Sequence, residues 1–81
     1  QNYPNPFNPA TIFKYEVPVN GFTTLKLYDI LGREVRTIVN GMNTAGIHAI
    51  EESFNDLASG VYLVKLVQGS YIQSRKIVLI K

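Results

Sequence analysis

Any acid–base or nucleophilic chemistry in this chain would have to start from its only histidine, His48. With Ser53 or Ser59 as nucleophile and Asp29 or Asp56 as orienting carboxylate, it could complete a hydrolytic triad. In such a triad the imidazole takes the hydroxyl proton and the carboxylate fixes its tautomer. Neither serine lies in a G-x-S-x-G elbow, the strained turn that lifts such a hydroxyl above a sheet. The expectation is a histidine half-buried beside a strand neighbour. Glu51 and Glu52 are adjacent carboxylates. Consecutive strand side chains point to opposite faces, so the pair cannot work together on one bond.

Metal chemistry has few ligands to draw on. No cysteine is present, which excludes disulfides, thiolate sites and a cysteine nucleophile, and one histidine leaves zinc short of donors. Calcium could use the oxygens of Asn5, Asn8, Asp29, Asn55 and Asp56, but no EF-hand spacing links them and turns employ the same residue types. Neither metal nor cofactor is expected. The six glycines are dispersed at places where the chain should turn, unlike a phosphate-cradling loop. Tyr3, Tyr15, Tyr28, Tyr62 and Tyr71 could offer a stacking platform to a sugar or a single strand, although Tyr15 and Tyr62 are expected to fill a core.

Eight Lys and Arg against six Asp and Glu give a net charge of +2 without any run of one sign. A nucleic-acid footprint needs basic residues gathered on one face, so no nucleic-acid partner is expected. No apolar stretch reaches the roughly 18–20 residues of a membrane-spanning helix, and the first residues lack the basic and apolar regions of a signal peptide. A chain of 81 residues opening on Gln1 reads as one module of a longer protein, with any export signal upstream.

The elements that must position these residues are strands. Residues 1–10 are rich in proline and asparagine and form an opening segment; a sandwich over residues 11–81 should follow. Phe13, Tyr15 and Val17 alternate with Lys14 and Glu16, and Thr23, Leu25 and Leu27 share one side of a second strand. Asp29 to Gly32 should reverse the chain so that Glu34 to Val39 returns as a hairpin partner. Asn40-Gly41 should begin a loop that runs to Gly46, ahead of a fourth strand around Ile47, Ala49 and Ile50. The run VYLVKLV is the strongest strand signal, and Gln68-Gly69-Ser70 should turn it into a last strand ending near Ile80. Ile77 to Ile80 is apolar at every position, as in a central strand or one covered by a partner. About seven short strands with frequent turns imply an all-β, immunoglobulin-like antiparallel sandwich.

Five blocks then fall in order: NYPNPFNPAT at 2–11, YDILGREV at 28–35, AG at 45–46, LASGVY at 57–62 and RKIVLIK at 75–81. Together they resemble the type A C-terminal sorting domain of the bacterial type IX secretion system, over essentially the whole chain. The resemblance implies a non-catalytic address label on a larger secreted protein. Its covalently linked N-terminal cargo would cross the inner membrane by its own signal. The domain would be recognised at the outer-membrane translocon, and a surface sortase would act on it, placing the product at the cell surface or in the medium. The same resemblance assigns sorting roles to Asn5, Pro6, Phe7, Asn8 and Pro9, to Gly60 and Tyr62 of a G-x-Y element, and to Lys76 and Lys81. One position departs from the family pattern. Where an aromatic residue usually ends the fourth strand, near position 52, this chain has Glu51-Glu52-Ser53, and Phe54 follows, so either the register shifts or Phe54 fills the space.

Two other functions fit a small sandwich. A carbohydrate-binding accessory module would need exposed aromatic rings in a row on one sheet face. A structural immunoglobulin-like spacer would need no site at all.

Overall fold

Alternating apolar residues drive the chain into six antiparallel strands among the residues that the computed structural model describes, 10–80. They are β1 (Ala10–Val17), β2 (Gly21–Tyr28), β3 (Glu34–Asn43), β4 (Gly46–Ser53), β5 (Gly60–Gln68) and β6 (Tyr71–Leu79). Two sheets face each other: β1 pairs with β4, and β3-β2-β5-β6 form a four-stranded sheet. The all-β sandwich agrees with the sequence pattern, with six strands among the described residues.

Period-two patterning places the core between the sheets. Phe13 and Val17 point inward from β1, Leu25 and Leu27 from β2, and Tyr62, Val64 and Leu66 from β5. Phe54, just past β4, is 1% exposed and meets Phe13 edge-to-face, with ring centroids 5.8 Å apart. The β1–β4 register runs unbroken from Ala10 opposite Ser53 to Val17 opposite Gly46. Phe54 therefore supplies the aromatic bulk missing near position 52 without any slip in register.

One sequence expectation is overturned and two open points are decided. Asn40-Gly41 does not open a loop: Thr24 pairs with Asn40 and Thr23 with Gly41, so β3 continues to Asn43. The first half of β2 needs a ladder partner, and that demand overrides the turn preference of the dipeptide. The last strand is not central, because β6 pairs only with β5 and forms a sheet edge. Along it Leu79 is buried and Ile77 half-buried, while Val78 and Ile80 are exposed. The fourth strand, whose facing the pattern of Ile47, Ala49 and Ile50 leaves open, has His48 and Ile50 inward and Ile47 outward, 76% exposed.

Gly60 opens β5 at φ +155°, a geometry that side chains with a β-carbon rarely adopt. Gly60→Val should lower stability by about 1–3 kcal/mol through backbone strain. Urea unfolding reads this directly, and an unchanged midpoint would place Gly60 in ordinary extended geometry.

Candidate functional site

The β2–β3 hairpin turn is organised by one carboxylate. Asp29 Oδ1 accepts the backbone N–H groups of Leu31 (2.9 Å) and Arg33 (3.0 Å), and Oδ2 accepts Arg33 Nε at 2.8 Å. Gly32, at φ +84°, donates its N–H to the Asp29 carbonyl at 3.0 Å. The Arg33 backbone hydrogen bond is the largest influence holding the Asp29 carboxyl below its ordinary range. One strand pair away, the Thr37 hydroxyl and then the Lys26 ammonium lower the Glu34 carboxyl in the same sense.

Both carboxylates bind protons less readily folded than unfolded. Their contribution is therefore present above the unfolded values, about 3.9 for Asp and 4.3 for Glu, and is lost as pH falls through the folded ones. The melting temperature should be flat near neutrality and decline below about pH 4, with a shallower decline in Asp29→Asn. Identical acid profiles for parent and variant would show that Asp29 is not one of the groups responsible.

The hairpin turn lies beside the start of β5 and the end of β6. Tyr28 stands opposite Leu63, Leu63 opposite Lys76, and Val61 opposite Val78, all on the outer face of the four-stranded sheet. A groove of about 370 Å³ runs there between Tyr28, Ile30, Val61 and Leu63, with Lys65 and Lys76 on its rim. The Lys65 ammonium sits 5.6 Å from the Tyr28 ring centroid. Three of the five blocks read in the sequence, 28–35, 57–62 and 75–81, thus meet at one end of one sheet. The Ala45-Gly46 block lies elsewhere, at the β3–β4 turn, where Asn20 Oδ1 accepts the Ala45 N–H at 2.8 Å.

The individual site residues separate by burial. Tyr62 is 8% exposed, with its hydroxyl donating to the Ala58 carbonyl at 2.7 Å, so it packs in the core. Lys76 is exposed on β6. Asn5, Pro6, Phe7, Asn8, Pro9 and Lys81 lie outside the described residues.

The residues weighed for catalysis are occupied in other ways. His48 stacks on Tyr15, with centroids 5.3 Å apart, and its Nε2 donates to the Thr44 carbonyl at 2.7 Å. Asp56 accepts from Arg36, and Asp29 from its own turn. Glu51 is exposed, whereas Glu52, on the opposite face, takes Arg36 Nη1 at 3.2 Å. Tyr15, Tyr62 and Tyr71 belong to the core side and Tyr28 to the outer face, so the described tyrosines do not form the exposed row a sugar platform requires.

Arg36 is the residue that sequence reasoning missed. Besides Glu52 and Asp56 it bonds the Ser53 carbonyl at 2.6 Å, and its guanidinium lies 5.1 Å from the Phe54 ring centroid. The Asp56 hydrogen bond is the main cause that raises its pKa further. Arg36 ties β3 of one sheet to the end of β4 in the other. Two register shifts in the β2–β3 ladder set it opposite inward-facing Leu27. Simple alternation along β3 carries no sign of those shifts.

The family model for the secretion system C-terminal sorting domain matches residues 1–81, the whole chain. No curated protein and no solved structure matches it.

Proposed function

Because this chain belongs to the family of secretion system C-terminal sorting domains, we propose that it is read at the outer-membrane translocon and then removed by a surface sortase, without chemistry of its own. A domain of this family is the sorting signal by which type IX secretion carries a linked cargo through the periplasm and outer membrane to the cell surface or medium. The observation that carries the proposal is the family match along the full length, supported by three sequence blocks meeting at one sheet end. The non-catalytic reading draws on the engagement of His48 and both candidate aspartates in hydrogen bonds that hold the fold together.

The proposed division of labour follows burial at Tyr62 and Lys76 and the sequence blocks elsewhere. Residues 1–10 join cargo to sandwich, with Asn5, Pro6, Phe7, Asn8 and Pro9 as sorting determinants, and residues 11–81 form the folded label. Gly60 and Tyr62 act through the fold, since Tyr62 is buried. Lys76 and Lys81 act as contacts.

A tagged periplasmic reporter fused to residues 1–81 tests the route in hosts with and without the translocon or the sortase. The expected product outside the competent cell is lighter by about the 9.1 kDa of the domain. Export without the translocon would sink the recognition step. Exported reporter that keeps the domain would sink the sortase step.

A further inference from the structure

We infer that the groove end of the outer sheet face docks an apolar, carboxylate-bearing segment of a protein in the secretion machinery; the inference rests on the sorting reading above. Of the large hydrophobic residues exposed among those described, Ile30, Val61 and Leu63 line this groove and Val78 stands directly opposite Val61. Scattered surface hydrophobics require no explanation, whereas a contiguous set beside a groove marks an interaction surface. The groove is open to solvent along an edge strand, and among the described residues nothing covers it.

Charge identifies the occupant. Lys65 and Lys76 are diagonal neighbours across β5 and β6, because Lys65 stands opposite Ser74 and Leu63 opposite Lys76. Among the described residues neither ammonium has a carboxylate partner, for Lys26 takes Glu34 and Arg33 takes Asp29. Asp29, the acidic residue lining the groove, spends its oxygens on Leu31 and Arg33. Two cations on one sheet face beside an apolar cleft complement a segment that inserts an aliphatic or aromatic side chain and sets one or two carboxylates next to it.

Other occupants fit less well. A second copy using the same face in a two-fold dimer would bring its own Lys65 and Lys76 toward these two, stacking like charges. A lipid headgroup plane is flat, while this surface is concave and bounded by the 29–33 turn. Two lysines are also too few for the basic footprint of a nucleic acid.

The test uses the reporter fused to residues 1–81 in a type IX-competent host, carrying Lys65→Glu with Lys76→Glu, the milder Lys65→Gln with Lys76→Gln, or the control Ile12→Glu. Ile12 is 64% exposed and points away from the core on the other sheet. Melting temperatures of the purified fusions should stay close to the parent, because all three positions face outward and the Lys65–Tyr28 contact that is lost is a surface one. The charge reversal should cut export at least about tenfold, the neutral pair should cut it less, and the control should export as the parent does. Export of the folded charge-reversed or neutral pair at the parental level would overturn the docking site while the exported parent leaves the sorting reading intact. Retention of the parent itself would overturn the sorting reading and this inference together. Phosphatidylglycerol vesicles provide the last arm. Co-sedimentation of the parent that is lost on charge reversal would assign the lysines to a membrane and overturn the protein partner.

Discussion

Deletion of residues 76–81 should abolish export and unfold much of the domain, whereas Lys81→Ala should leave the fold intact and reduce export only in part. In β6, residues 76–79 supply the partners of Gly60, Val61, Tyr62 and Leu63 along one edge of β5. Removing them strips Leu79 from the core and Ile77 from its margin. A fully buried aliphatic side chain contributes about 1.5–3 kcal/mol, a serious fraction of the roughly 5–15 kcal/mol that holds a small domain folded. The newly exposed β5 edge would also present unpaired backbone groups to other chains. Lys81→Ala removes one charge and no apolar side chain like that of Leu79, so it should change mainly what a receptor reads. Reporter export measured beside circular dichroism separates the two effects. A deletion variant exported as well as its parent would show that the last strand is not part of the signal.

Phe54→Ala should cost about 3–5 kcal/mol, the most damaging single substitution in the core. The ring is 1% exposed, meets Phe13 edge-to-face at 71°, and lies under the Arg36 guanidinium. Alanine would leave a cavity between the sheets and remove the surface against which Arg36 is held, so both apolar and electrostatic ties across the sandwich weaken. Thermal unfolding should register a drop of about 4–8 °C for each kcal/mol lost. Phe54→Leu, which keeps most of the volume, should recover a large part of it. A melting temperature for the alanine variant within about 4 °C of the parent would mean that β4 tolerates an empty site there and that Phe54 is not its aromatic anchor.

How far the fold can be read from the sequence depends on whether neighbouring residues carry the instruction. In β1 and β2 one face is buried and the other wet, and Phe13, Val17, Leu25 and Leu27 announce their direction by alternation alone. Asn40-Gly41 misleads because a local turn preference is worth less than the ladder that Thr23 and Thr24 offer across β2. Ile77 to Ile80 leaves two readings open for another reason. Apolar residues on both faces suggest a central strand, yet here Val78 and Ile80 stay exposed on a sheet edge, as they would on a surface awaiting a partner.

The site was legible only in part. The blocks at 28–35, 57–62 and 75–81 are far apart in sequence, and it takes the pairing of β5 with both β2 and β6 to bring them side by side. Lys65 carries no signal of its own in the sequence, because a lone lysine in a strand is ordinary. Its significance comes from Lys76 diagonally across the ladder and from the absence of an acid between them among the described residues. Arg36 was hidden by the shifts in the β2–β3 register, which turn it toward the opposite sheet.

Whether these 81 residues suffice as an address is decided by a periplasmic reporter with and without them, in one type IX-competent host. Reporter is expected outside the cell only when residues 1–81 are attached. Retention of the fused reporter in the periplasm, at the level of the unfused one, would contradict it.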